Sequence, residues 1–197
     1  MPKVNRHGKA SIISDSEYLR IFKQIENPQH RLILNILRYT GERIGAVCFL
    51  KVSDVYWDAA RKIPSKTVTF RRSTRKASKH GMGKTRQLPM PVALKSELED
   101  FQPPKSEWLF PSPKNAGCPI LPKSCWAWFY AAVNSAGLGS KGFSLHSPRR
   151  TLINKLLEAG YSTAVIQSIT GHESLSALQE YLEPSDEVIG KAIDSIF

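Results

Sequence analysis

Leu145-His146-Ser147-Pro148-Arg149-Arg150-Thr151 is the stretch on which the fold turns. A serine followed by proline reads as a helix start: the serine side chain can take up a free amide, and proline suits the first turn, where its missing N–H costs nothing. Leu152, Leu156 and Leu157 then recur at helical spacing up to Gly160, which can end the helix. Toward the C-terminus the pattern predicts shorter helices over 162–170 and 174–182. The tail 185–197 repeats Val188, Ile189, Ala192, Ile193, Ile196 and Phe197, an amphipathic helix in need of a partner surface, either its own domain or a second protomer.

Toward the N-terminus, Trp126, Phe129, Tyr130 and Val133 form one helical stripe. The proline-rich stretch before it, 103–122, reads as irregular surface loop whose Trp108-Leu109-Phe110 tucks into the core. A helix over about 92–101 precedes that loop. Lys66-Thr67-Val68-Thr69-Phe70 is β-branched and alternating, and Arg86-Gln87-Leu88-Pro89-Met90 alternates more weakly. The basic, glycine-containing segment between them is the connecting turn of a small antiparallel sheet. Two helices open the chain. Ser14-Asp15-Ser16-Glu17 has the capping-box pattern ahead of Tyr18, Ile21, Phe22 and Ile25, and Pro28 starts a second helix with an apolar face of Leu32, Ile33, Ile36 and Leu37 that Gly41 can end. A third helix is predicted from about Glu42 into Phe49. The fold class is therefore mainly α with a small antiparallel β-sheet (α+β), one domain over 1–184 followed by the tail helix over 185–197, without internal repeats.

Composition narrows the function. The 197 residues are enough for a real core. No apolar run reaches the roughly 18 residues of a membrane span, and the basic N-terminus lacks the apolar stretch and cleavage site of a secretory signal. The expected setting is the cytoplasm, on nucleoid DNA, with no membrane partner. Cys48, Cys118 and Cys125 are odd in number and show no Cys-x-x-Cys spacing, which argues against a disulfide framework or a zinc site. Lys and Arg number 28 against 17 Asp and Glu, a formal charge of +11. The excess concentrates between Arg61 and Arg86, where Lys66, Arg71, Arg72, Arg75, Lys76, Lys79 and Lys84 also lie and no acid occurs. Such a single-sign field favours a polyanion, and double-stranded DNA is the expected partner. Arg71, Arg72, Arg75, Lys76, Lys84 and Arg86 are the candidate DNA-binding residues.

Four separated pieces stand in order along the chain: Thr40-Gly41-Glu42-Arg43-Ile44, the lysines of the basic turn, 145–151, and Gly171-His172 with Tyr181 nine residues on. Singly, each has an ordinary reading. Arg43 suits a solvated helix, His146 a loop-to-helix contact and His172 a helix end, and Tyr181 is one of six tyrosines whose default role is in the core. As an ordered set, Arg, Lys, His-x-x-Arg, Gly-His, Tyr, they resemble the catalytic domain of the tyrosine recombinase (phage integrase) family over nearly the whole chain.

The resemblance implies that fold and a chemistry that the residue types suit. A phosphodiester attacked by a tyrosine oxygen passes through a pentacoordinate state with negative non-bridging oxygens. Planar, permanently charged guanidiniums donate paired hydrogen bonds to such oxygens. By resemblance Arg43 and Arg149 take that role, His146 supports proton transfer and contacts the phosphate, and His172 hydrogen-bonds a non-bridging oxygen. Lys79 protonates the leaving 5′-hydroxyl oxygen, with Lys84 the alternative. Tyr181, whose unperturbed pKa is about 10, is the nucleophile, forming a 3′-phosphotyrosyl bond. No cofactor or metal is expected, since two arginines can carry the charge. Self-association into dimers or tetramers on DNA is implied, the tail helix docking on a neighbouring protomer, with accessory DNA-bending proteins as further partners.

Three features depart from the family pattern. The acid usual three positions after the first arginine is Ala46, and Glu42, expected to face elsewhere on a helix, is a poor substitute. Ser147-Pro148 fills the His-x-x-Arg interval where Asp-Leu is common. The chain also begins almost where the catalytic domain does, whereas many relatives carry an N-terminal DNA-clamping domain. This fits either a trimmed chain or a minimal recombinase like the short fimbrial invertases. The expected function is site-specific recombination of the integrase, excisionase or invertase type. The alternatives are a catalytically weak or inactive DNA-binding relative, suggested by Ala46, and a type IB topoisomerase-like enzyme, which the small size and docking-type tail oppose.

Overall fold

The computed structural model describes residues 10–74 and 84–172, together with 178, 189, 190 and 193–195. Arg75, Lys76, Lys79 and Tyr181, and most of the helices expected over 174–182 and 185–197, lie outside the described residues.

Helix α1 (Asp15–Lys23) opens with the predicted capping box: the Ser14 hydroxyl accepts from the Glu17 amide, and the Glu17 carboxylate accepts from the Ser14 amide at 3.0 Å. Helix α2 (Pro28–Thr40) is capped by Asn27, whose side chain accepts from the amides of Gln29 and His30. The sequence predicts one apolar face for α2. In the structure Leu34 and Asn35 are buried as well as Leu32, Ile33, Ile36 and Leu37, so the helix is enclosed nearly all round. A helix apolar on every side belongs in the middle of a core, and each such leucine or isoleucine contributes roughly 1.5–3 kcal/mol by leaving water. Of its two buried polar residues, Asn35 and Thr40, Asn35 accepts a hydrogen bond from the buried Tyr18 hydroxyl.

Around α2 lie α3 (Ile44–Cys48), α4 (Val92–Asp100) and α6 (Ser147–Glu158), while α5 (Pro122–Ser135) contacts α1 and α3, and α7 (Thr163–Thr170) contacts α6. Among the described residues, three antiparallel strand pairs decorate the helices: β1 (Tyr56–Asp58) with β2 (Ile63–Pro64), β3 (Thr67–Phe70) with β4 (Arg86–Pro89), and β5 (Pro111–Ser112) with β6 (Asn115–Pro119). The β3–β4 pair is the predicted one, with Phe70 opposite Arg86 and Val68 opposite Leu88. The fold is mainly α with small antiparallel β elements, as expected.

Local details differ from the expectations. The 103–122 stretch is not wholly irregular, because it contains the β5–β6 pair. Its prolines face each other at the end of that pair (Pro111 opposite Pro119), where a missing N–H is tolerated. Leu109 and Phe110 are fully buried, whereas Trp108 is half-buried, edge-on to Phe49. Helix α6 begins one residue early, with His146 at the cap position and Pro148 in the first turn, and the Ser147 hydroxyl instead accepts from the Ser144 amide at 3.0 Å. Helix α3 begins after Arg43, whose backbone is extended (φ −75°, ψ 143°), so Glu42 is not helical. Leu178 is helical and buried with Ile153 and Ile166 in a second, smaller core.

Candidate active site

Two helices end in the same way and meet. Helix α2 closes on Thr40-Gly41 and α7 on Thr170-Gly171, each glycine in the left-handed conformation (φ +60° and +66°). Each threonine donates its hydroxyl to the carbonyl four residues back, Ile36 and Ile166 respectively, over 2.6 Å. Each hydroxyl also accepts from two residues ahead, from the Glu42 amide at 3.2 Å and from His172 Nδ1 at 2.7 Å. A Cβ on Gly41 would stand 2.9 Å from Leu152 Cδ2 and 3.7 Å from Thr170 Cγ2, so glycine is required there by contact as well as by φ.

The last carbonyls of a helix lack partners within it and carry its negative dipole end. Two buried arginines supply the donors. Arg149, on α6 and 1% exposed, donates through Nη1 to the Gly41 carbonyl (2.6 Å) and the Thr170 carbonyl (2.9 Å). Arg86, on β4, donates through Nη1 to the Thr170 carbonyl (2.9 Å) and through Nη2 to the Thr40 carbonyl (2.9 Å). Arg86 Nη1 is also ion-paired with Glu42 Oε2 at 2.8 Å, and the other oxygen, Oε1, accepts from the Arg43 amide at 2.9 Å. This corrects two expectations. Arg86 is not a surface DNA contact, because strand alternation puts it on the inward side with Leu88, 8% exposed. Glu42 does not face away, because the residue is outside the helix and its carboxylate, 1% exposed, turns inward.

His172 follows Gly171 directly and is buried. The Thr170 hydroxyl gives its proton to Ile166, so His172 donates from Nδ1 and its Nε2 accepts from Arg149 Nη2 at 2.8 Å. Burial and the positive charges of Arg149, Arg43 and Arg86 push its pKa down to about 3. The ring is therefore neutral and holds Arg149. A donor role toward phosphate, as the sequence suggests, requires a proton on Nε2. Arg43 differs from Arg149: it is half-buried, and its guanidinium makes no hydrogen bond or ion pair with the described residues. Among the described residues, then, one arginine is fixed by protein acceptors and the other is not. His146, half-buried at the start of α6, sits one turn before Arg149, and Lys84 is exposed beside β4.

Of the remaining basic candidates, Arg72 is exposed, and Arg71 is held by the buried Asp54 through Nη2 (2.7 Å) and Nε (3.1 Å). Both line an open cavity of about 400 Å³ with Thr69, Ser73 and Thr85. Arg71 thus has a structural partner and still borders an accessible basic hollow.

The sequence profile of the phage integrase family matches residues 11–187. The chain belongs to that family. Among its relatives, tyrosine recombinase XerA of Pyrococcus horikoshii is 26% identical over 197 residues, covering 98% of the chain and 63% of the relative. A putative integrase/recombinase, y4eF, of Sinorhizobium fredii is 30% identical over 178 residues, covering 87% and 63%. The chain therefore spans less than two thirds of the length of either relative. The fold is similar to that of a crystal structure of XerA recombinase (TM-score 0.71, 21% identity, 95% of this chain and 66% of that one). It is also similar to that of a lambda integrase dimer bound to a COC′ core site (TM-score 0.67, 21% identity, 90% and 49%).

Sequence reasoning missed Thr40, Thr170, Glu42 and Arg86 as parts of the site. Two signals were present: the duplicated Thr-Gly-polar ending of α2 and α7, and the alternation that puts Arg86 in phase with Leu88.

Proposed function

We propose that this member of the phage integrase family is the catalytic domain of a site-specific DNA recombinase, acting on nucleoid DNA in the cytoplasm and cutting through Tyr181. The observation that carries the reading is the division of labour between the arginines: Arg149 anchored by Gly41, Thr170 and His172, and Arg43, whose charge also acts on His172, with no side-chain partner among the described residues. In the reaction the Tyr181 hydroxyl passes its proton to His146 as its oxygen bonds to phosphorus, and the bond from phosphorus to the 5′ oxygen breaks. The leaving oxygen takes its proton from Lys79 or Lys84. Arg43 donates to the non-bridging oxygens, Arg149 adds its remaining N–H and charge, and His146 contacts the same phosphate at the start of α6. Preorganised donors of this kind are each worth roughly 3–4 kcal/mol in the transition state. The 3′-phosphotyrosyl bond keeps the ester energy, so a 5′-hydroxyl of another strand reseals it by the reverse steps, without ATP.

Two further observations support the reading. Leu178, three residues before Tyr181, is buried against Ile153 of α6 and Ile166 of α7, the helices that carry Arg149 and lead to His172. Ile189 and Ile193, one helical turn apart in the tail, are 44% and 55% exposed, which suits docking on a second protomer on double-stranded DNA. Accessory DNA-bending proteins fit the same scheme.

The test is a covalent trap. Nicked duplexes from the DNA flanking its gene are incubated with the chain or its Tyr181→Phe variant in EDTA, quenched with detergent and digested for mass spectrometry. The expected result is an adduct on Tyr181 that the variant lacks. Firm DNA binding with no adduct on any flanking duplex overturns the catalytic reading.

A further inference from the structure

Glu42 is an unusual residue to find 1% exposed. Its two oxygens are divided between partners that have different tasks: Oε2 holds the Arg86 guanidinium at 2.8 Å, and Oε1 accepts the Arg43 amide at 2.9 Å. The Gly41 turn and the bond from the Glu42 amide to Thr40 Oγ1 fix the backbone that aims the carboxylate inward. Among the described residues it is the one carboxylate bonded to the cluster of Arg43, Arg86, Arg149 and His172. Position 46, one turn beyond Arg43, is an alanine buried in the apolar core and brings no charge.

We propose that Glu42 is a positioning residue for phosphoryl transfer, setting the start of α3 and thereby where the Arg43 guanidinium meets the phosphate, while Arg86 locks the carboxylate in place. This rests on the recombinase reading above. The chain from carboxylate to phosphate is short. Oε1 bonds the amide of Arg43, whose extended backbone is what lets its side chain leave the helix start toward His172. Arg86 supplies the counter-charge to a carboxylate at this depth, and its bonds to the Thr40 and Thr170 carbonyls tie the pair to both helix ends. Supporting groups of this type, which orient a group that touches the substrate, commonly change activity by about 10–100-fold when removed. Glu42 touches no substrate in this scheme, so DNA affinity should be largely indifferent to it.

The experiment compares cleavage rate and DNA affinity on the same nicked flanking duplex for Glu42→Gln, Arg43→Ala and the double variant. Glu42→Gln should slow adduct formation by about 10–100-fold and leave affinity within about twofold. In the Arg43→Ala background the same change should cost less than about twofold, because the group through which Glu42 acts is gone. A variant in which Glu42 and Arg86 both become methionine removes the ion pair without leaving a lone buried charge, and keeps the test open if Glu42→Gln does not fold. It should stay folded and be slowed to a similar degree. Full activity in Glu42→Gln or the methionine pair, or an equal loss with and without Arg43, overturns the assignment. An adduct from the unsubstituted chain that is insensitive to Glu42 sinks this proposal alone. No adduct from the unsubstituted chain sinks the recombinase reading as well.

Discussion

Arg86 and Arg149 donate to one acceptor, the Thr170 carbonyl oxygen, each over 2.9 Å. One arginine comes from a strand and the other from a helix, and the shared oxygen is at the end of a third element. The cationic site is thus built on helix C-termini, whose partial negative charge offsets part of the cost of burying two guanidiniums.

Arg149→Lys should therefore fail in two ways. A lysine ammonium is a point donor and cannot span Gly41, Thr170 and His172 together. Leaving buried carbonyls without donors costs about 1–3 kcal/mol, so thermal melting should fall by several degrees alongside loss of cleavage. A variant with unchanged melting would show that the bonds contribute little to the fold.

Arg43→Ala should fail in only one. Its guanidinium has no hydrogen-bond or ion-pair partner among the described residues, so melting should stay within about 0.5 kcal/mol of the parent. Cleavage should drop by about 10²–10³-fold, as for removal of one oxyanion donor. Calorimetry and the adduct assay on the same preparation separate the two effects.

Gly41→Ala adds a Cβ at φ +60° and 2.9 Å from Leu152 Cδ2. The backbone conformation alone costs on the order of 1 kcal/mol, and the contact with α6 adds to it. Denaturant melts should give a loss of about 1–3 kcal/mol. A neutral result would mean that α2 and α6 separate easily at this end.

His172 makes stability depend on pH. The ring has a pKa near 6.5 when unfolded and about 3 in the fold. Between those values the unfolded chain holds a proton that the native chain does not. Stability is therefore full above about pH 6.5 and falls as pH drops toward 3, by up to about 1.4 kcal/mol per unit. His30, stacked on Trp128 and also pushed down by burial, contributes in the same direction. The informative measurement is the difference between the parent and His172→Asn, whose acid slope should be shallower. Parallel slopes would mean that the imidazole is accessible to protons in the native state.

Much of the scaffold was legible because its signals are local. Ser14 and Glu17 announce α1 within four residues, and the alternation of Thr67 to Phe70 announces β3. The buried site was less so. Placing a helix start at Glu42 turned its side chain the wrong way, and a single extended residue, Arg43, reversed that. Counting Arg86 with the exposed cations of the basic segment used its charge and ignored its phase with Leu88. Both errors come from bonds between residues far apart in the chain, for which a local pattern carries no term.

Those bonds also say when the site forms. The contacts from Arg86 to Thr40 and Thr170 and from Arg149 to Gly41 join positions 46, 84 and 108 residues apart. Closing loops of that length is entropically costly until neighbouring helices have already docked, whereas α1 and α2 can nucleate within their own spans. Refolding chains should regain their helical signal before the two arginines reach their shared carbonyl. On the proposed recombinase reading, competence to cut DNA then arrives last, and a nascent or partly refolded chain carries Tyr181 before the pocket that would use it.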